Sequence, residues 1–169
     1  NSIIADVGSG VLAIRSNGTG VYLQKSDGTS LGAFVNDGAA TLYNNGNAKI
    51  ATTAVGCTIS GTLIATTDTD TSNTGSVTLD FGVNQNFVLT LTGNVTLANP
   101  STEQVGQAGV IVFVQDATGS RTLSLDSEYE SAGGSGITLS TAANAVDVVP
   151  YFVKASGSIQ LGAPQLAFS

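Results

Sequence analysis

The sequence predicts an all-β protein, on three observations. Its hydrophobic share of 41% is mostly Val, Ala, Leu and Ile interleaved with Thr and Ser, and β-branched side chains of this kind pack well on a pleated surface. Turn signals recur ten residues apart in the first half: Ser16-Asn17-Gly18, Ser26-Asp27-Gly28 and Asn36-Asp37-Gly38, with Asn45-Gly46 a little early. Asn, Asp and Gly tolerate positive φ, which makes these pairs hairpin or corner markers. The segments between them are about five residues long, near the usual strand length.

Taken in order, the first 65 residues hold six strand candidates: Val11–Arg15, Val21–Lys25, Leu31–Val35, Ala40–Tyr43, Ala48–Thr52 and Cys57–Ala65. Strand and turn alternating at this period predict a β-meander, a β-solenoid or an intertwined fibre shaft. Each strand offers few inward apolar side chains, so repeat neighbours or further copies must cover them. Residues 66–75 contain no large apolar residue and predict a linker or exposed loop. Longer and more apolar candidates follow: Val77–Phe81, Asn86–Thr92, Val95–Leu97, Val110–Gln115, Arg121–Leu125, Gly136–Ser140, Val146–Ala155 and Ser158–Leu161. The uninterrupted apolar run Val110–Val114 predicts a strand covered on both faces. Asn99-Pro100 and Gly119-Ser120 mark turns, and Gly133-Gly134-Ser135-Gly136 marks a flexible loop. The resulting plan is a repetitive β shaft over 1–65, a linker over 66–75 and a C-terminal β-sandwich or jelly-roll-like head over 76–169.

Composition removes much functional chemistry. The 169 residues include no His, which excludes a Ser-His-Asp nucleophile, a His-bound zinc and a charge switch near neutral pH. Cys57 is the only cysteine, so neither an intramolecular disulfide nor a Cys-based zinc cluster can form. In an apolar strand candidate it reads as a small buried hydrophobe. Five Lys+Arg against 12 Asp+Glu give a net charge of −7, and no stretch is basic, which argues against nucleic acid as a partner. No apolar run approaches the ~20 residues of a membrane helix, and no charged-then-apolar leader is present. The chain opens at Asn1 and has no Met, which reads as a processed product or a section of a longer protein.

The remaining candidates for chemistry each have an ordinary reading beside the functional one. Asp126, Glu128 and Glu130 alternate, so an extended strand would place all three on one face. Paired carboxylates are the machinery of glycoside hydrolysis, but alternating acids also protect a strand edge, and the edge reading is preferred. Asp68 and Asp70, with Ser72 and Asn73 behind them, offer oxygens suited to calcium, yet lack the central Gly and bidentate Glu of an EF loop. A hydrated linker is the expectation there. Asn17-Gly18-Thr19 and Asn94-Val95-Thr96 match the glycosylation sequon, which matters only on a eukaryotic secretory route. Tyr22, Tyr43 and Tyr129 read equally as ligand contacts or as cross-strand packers. No catalytic residue, cofactor or metal is expected.

Two stretches resemble a known family. Gly38 through Thr53, GAATLYNNGNAKIATT, continuing through Val55-Gly56-Cys57-Thr58-Ile59-Ser60-Gly61-Thr62-Leu63, resembles a repeat of tail-fibre and other structural proteins of marine bacteriophages. There an "LYYNGxKKLxTT" stretch precedes "GxxVTGTL"; Ala48-Lys49 stands where the repeat has Lys-Lys. Phe87 through Pro100, with Gln107-Ala108-Gly109, Gln115 through Leu123 and Leu139 through Val148, is similar to the C-terminal module of cyanophage and other marine phage structural proteins. This second likeness covers roughly residues 76–169. The resemblance implies a virion structural protein, often a homotrimer, and supplies no catalytic residues.

The expectation is therefore a non-enzymatic bacteriophage tail fibre protein on the surface of the virion, a homotrimer associated with other virion proteins. Three chains wound about one axis would bury the thin apolar stripe and leave no free sheet edges. Contact with a host-surface polysaccharide or protein is expected through Asn84, Gln85, Asn86, Gly133, Gly134, Ser135 and Gly136. The rival readings are a capsid decoration or head-fibre protein, a polysaccharide depolymerase using Asp126, Glu128 or Glu130, and a bacterial surface adhesin.

Overall fold

Turn chemistry builds the first half of the molecule. A computed structural model describes residues 14–168, and the chain divides into two units, Asn1–Ile64 and Ala65–Ser169. In the first unit five strands follow one another: β1 (Gly20–Gln24), β2 (Ser30–Val35), β3 (Ala40–Asn44), β4 (Asn47–Thr53) and β5 (Gly56–Ile59). Each pairs antiparallel with the next, which is the meander. The turn residues adopt the positive φ their identities allow, at Gly28, Asp37, Asn45 and Gly46. Asn45 and Gly46 form a two-residue hairpin loop between β3 and β4, the arrangement that needs positive φ at both central positions. The candidate Val11–Arg15 falls mostly outside the described residues; Ile14 and Arg15 are not in a strand.

Among the described residues, this meander buries almost no core. Register partners across an antiparallel sheet share a face, and Leu23, Gly32, Leu42, Ile50 and Ile59 lie in one row across all five strands. Phe34, two positions from Gly32, joins them. The large side chains of this row remain open to solvent: Leu23 54%, Phe34 51%, Leu42 52%, Ile50 43% and Ile59 40%. Among the described residues of the unit only Gly32, Ala33 and Thr41 are buried. Cys57 corrects the expectation of a buried thiol: it is exposed, on the edge strand β5.

The second unit holds an eight-stranded sheet. Its strands are β6 (Thr67–Thr78), β7 (Asn86–Ala98), β8 (Ala108–Gln115), β9 (Leu123–Leu125), β10 (Tyr129–Glu130), β11 (Val146–Ala155), β12 (Ser158–Leu161) and β13 (Gln165–Phe168). The order is β10-β12-β11-β8-β7-β6, with β13 on β11 and β9 on β7. The pairs β6/β7, β7/β8 and β7/β9 are parallel. Parallel neighbours ordinarily need a helical crossover; here loops 79–85 and 99–107 suffice, because β7 serves two ribbons. Its first half, Phe87–Leu91, pairs with β8, and its second half, Val95–Leu97, pairs with β9. The β6 register shifts at Asn73, whose buried Nδ2 donates to the Asp70 and Thr90 carbonyls at 3.1 Å each. Successive passes of the chain thus curl the sheet on itself into a sandwich-like module, with parallel strands where a jelly roll has antiparallel ones.

The core fills the curl. Phe87, Leu89, Leu91, Val95 and Leu97 alternate inward along β7 and meet Ile111, Phe113, Val149, Val153 and Ile159. Phe81, Phe87 and Tyr151 close one end, with Phe81 5.0 Å from Phe87 and edge-on to Tyr151 at 5.2 Å. Gly93 and Gly109 are among the glycines required by close approach. A Cβ on Gly93 would strike Thr74, and one on Gly109 would strike the Gln85 carbonyl and stand 2.9 Å from the Tyr151 hydroxyl.

Several expectations change here. Residues 66–75 are not a linker: from Thr67 on they are most of β6, hydrogen-bonded along β7. The stretch is polar because β6 is the sheet edge, where Asp68 and Asp70 align with Phe87 and Leu89 on the inner face and discourage further pairing. Of Val77–Phe81 only Val77 and Thr78 are strand; Leu79 and Phe81 leave it to close the core. Gly136–Ser140 has no ladder partner and is not strand, although Ile137 and Leu139 are buried. The Val110–Val114 run is covered on one face only: Ile111 and Phe113 are buried, while Val110, Val112 and Val114 stay half-buried.

Candidate functional site

A groove of about 880 Å³ opens beside β9 and is bounded opposite by residues 134–139. The reason is local: β9 has β7 as its strand neighbour, and Ile137–Leu139 runs alongside without joining the ladder. Leu123, Leu125, Ile137 and Leu139 supply an aliphatic floor, and Ser124, Ser127, Ser131, Ser135 and Thr138 supply hydroxyls. Arg121 lines one end, where its Nη2 donates to Asp116 Oδ2 at 2.7 Å. That hydrogen bond holds the Asp116 carboxyl below the usual range. The groove therefore offers hydroxyl hydrogen bonds above an apolar floor, with the acids Asp126 and Glu130 also on its lining and the Arg121 guanidinium already engaged by Asp116.

The predicted contact residues fall in two places. Gly133, Gly134, Ser135 and Gly136 form an exposed loop around a short 3₁₀ turn, Ala132–Gly134. Three of them, Gly134, Ser135 and Gly136, line the groove. Asn84, Gln85 and Asn86 lie on a second, shallower cavity of about 550 Å³ or beside it, and they are latched into the framework. The Asn84 carbonyl accepts from Gln107 Nε2 at 2.8 Å and the Gln85 carbonyl from the Tyr151 hydroxyl at 2.7 Å. Asn86 Oδ1 accepts from the Val110 amide at 3.2 Å, and Gln85 Nε2 donates to the Ala108 carbonyl. The structure does not bring the two sets together in one cavity.

Of the alternating acids, Asp126 and Glu130 both line the groove and Glu128 does not. Asp126 is exposed in the turn after β9. Glu128 is half-buried, its amide held by Asn99 Oδ1 at 3.0 Å. Glu130, on β10, accepts from Ser158 Oγ at 2.6 Å and pairs with Lys154 Nζ at 3.1 Å. Those contacts, Ser158 first, hold its carboxyl below the ordinary range, the opposite of what a proton donor at neutral pH needs. Asp70 Oδ1 accepts from the Ser72 amide at 3.1 Å within β6. Tyr22 is exposed and Tyr43 partly so, whereas Tyr129 is buried, and burial together with the charges of Glu128 and Glu103 raises its phenol. Burial also pushes Tyr151 up to about 12.

The groove floor escaped the sequence reading, though a signal for it exists. Thr74-Gly75-Ser76-Val77-Thr78-Leu79, Thr92-Gly93-Asn94-Val95-Thr96-Leu97 and Thr118-Gly119-Ser120-Arg121-Thr122-Leu123 share the pattern Thr-Gly-x-x-Thr-Leu. Ile137-Thr138-Leu139 repeats its end. Each full copy marks one pass of the chain along the second ribbon, and the end of the third copy lines the groove together with Ile137-Thr138-Leu139.

Comparison with known proteins agrees with this module's extent. No curated protein and no solved structure gives a significant match. The family model described as "Putative phage tail fibre C-terminal domain" matches residues 73–158, from the bend of β6 to the start of β12. That match spans more than half of the chain and most of the curled module. The chain belongs to this family of phage tail fibre C-terminal domains, a structural component of the virion.

Proposed function

We propose that the chain is a non-enzymatic homotrimeric tail fibre protein of a marine, cyanophage-type bacteriophage, which meets the host surface through its C-terminal module. The observation that carries the oligomer is the open apolar row Leu23, Phe34, Leu42, Ile50 and Ile59 across the meander. A contiguous exposed row of this kind marks an interaction surface. Three copies about an axis cover one another's rows and pair the free edges of β1 and β5. The half-buried valines Val110, Val112 and Val114 add a second uncovered apolar face in the other unit. Host contact rests on the groove and its Gly133–Gly136 rim, whose hydroxyls and aliphatic floor suit an uncharged polysaccharide or an extended peptide. The lowered carboxyl of Glu130 and the separate settings of Asp126 and Glu128 support a binding role over glycoside hydrolysis.

Light scattering tests the oligomer: the expected mass is three times 16.9 kDa, and a monomer at working concentration would end the fibre reading in favour of a decoration protein. Exchange of Gly133–Gly136 is expected to lower adsorption of phage to host cells; unchanged adsorption refutes the contact. Release of reducing ends from host polysaccharide, abolished by Glu128→Gln, would replace the binding role with an enzymatic one.

A further inference from the structure

Two carboxylates converge on the β11–β12 turn without a cation to meet them. Glu103 Oε1 accepts from the Gly157 amide and from Ser156 Oγ, each at 3.1 Å. Glu128 Oε1 lies 3.7 Å from where a Cβ on Gly157 would stand. The second oxygen of each carboxylate is buried and has no hydrogen-bond partner. Two hydroxyls nearby in the chain share this condition, Thr102 Oγ1 and the Tyr129 OH. Tyr129 is only 5% exposed, and its hydroxyl feels the charge of both Glu128 and Glu103. Lys154, on the neighbouring β11, is bonded to Glu130 instead. Neither Glu103 nor Glu128 has a salt bridge among the described residues.

Buried polar atoms are rarely left unpaired, and each of these half-buried carboxylates leaves one buried oxygen without a partner. The orphaned atoms here are all oxygens, and two of them are anionic. Calcium fits such a set: it takes six to eight oxygen ligands in flexible geometry, from carboxylates, neutral oxygens and water. Magnesium demands a stricter octahedron and holds its own waters. We propose that Glu103 and Glu128, with Thr102 and Tyr129 at its margin, bind a calcium ion that ties loop 99–107 to the β11–β12 turn. The site lies wholly within the curled module, so it stands whether or not the chain is a trimer. It is separate from Asp68 and Asp70, which lie on the edge strand β6.

The test uses the full chain stripped with EDTA. Calcium is expected to raise the thermal midpoint, to bind at one site per chain by calorimetry, and to compete with terbium whose luminescence is excited through tyrosine. Glu103→Gln and Glu128→Gln should each weaken binding at least about tenfold, because ligand charge sets calcium affinity. The double variant Asp68→Asn/Asp70→Asn should bind as the parent does. If the Gln variants fold poorly, Tyr129→Phe removes only a hydroxyl and should lower the terbium signal. The proposal is overturned if calcium up to about 10 mM, above the range of weak extracellular modules, leaves the midpoint and the calorimetric trace unchanged. In that case buried water satisfies these oxygens. It is equally overturned if binding persists unaltered in both Gln variants or disappears in the Asp68/Asp70 variant.

Discussion

Asp147 is the residue whose removal should most clearly unfasten the curled module. It is 1% exposed on β11 and accepts three hydrogen bonds: from the Ser140 amide at 2.6 Å, Ser140 Oγ at 2.7 Å and the Ala167 amide at 2.9 Å. One carboxylate thus holds the unladdered segment beside the groove and the C-terminal strand β13 against β11. In Asp147→Ala, two partly buried backbone amides lose their acceptor, at about 1–3 kcal/mol each. Ser140 Oγ can rotate toward water, and the cost of burying the carboxylate disappears with it. The expected net loss is about 3 kcal/mol, a large share of the roughly 5–15 kcal/mol that holds a domain of this size. Asp147→Asn keeps one acceptor oxygen and should lose about half as much. Urea titrations at one fixed protein concentration measure both, read from the midpoint with the slope unchanged. Hydrogen exchange should show the Ser140 and Ala167 amides losing protection first. A loss within about 0.5 kcal/mol for the Ala variant would show that desolvation offsets the three bonds and that Asp147 anchors nothing.

Gly109→Ala should cost about 2 kcal/mol or more, because its methyl meets the Gln85 carbonyl and the Tyr151 hydroxyl; denaturant midpoints measure it, and a neutral result would mean that loop 79–85 yields freely. Stability should decline under acid, since Asp116, Glu103 and Glu130 all have carboxyls held below their ordinary values of 3.8 or 4.5. A depressed carboxyl stabilises the fold above its unfolded value, and that contribution is lost as pH falls through the folded value. Arg121→Ala should therefore flatten the acid limb of the stability profile, and an unchanged limb would exclude the Arg121–Asp116 pair as a contributor. Phe34→Ser and Leu42→Ser should weaken association, because each side chain has about half its surface left to bury, worth about 1 kcal/mol per chain. Sedimentation of the double variant at several concentrations checks this, and an unshifted association would place the interface elsewhere.

The all-β class and several strands were legible because they rest on periodicity within a few residues. Val146–Ala155 and Ser158–Leu161 were bounded correctly because alternation along them is clean and a Ser-Gly turn separates them. In the meander, Asn45-Gly46 forced a hairpin through its own backbone preference. Partners distant in the chain decided the rest. Residues 66–75 read as a polar loop until β7 supplies a ladder for them, whereas Gly136–Ser140 reads as a strand and lacks one. The Thr-Gly-x-x-Thr-Leu repeat was present to be seen, but its meaning depended on parallel passes of the chain. Glu103 and Glu128 are 25 positions apart, and nothing local marks them as neighbours of Gly157. Side-chain alternation is a property of one segment and survives in the sequence alone. The choice of strand neighbour, and hence which faces are buried and which oxygens are left unpaired, is made by contacts across the curl and exists only once the chain has closed on itself.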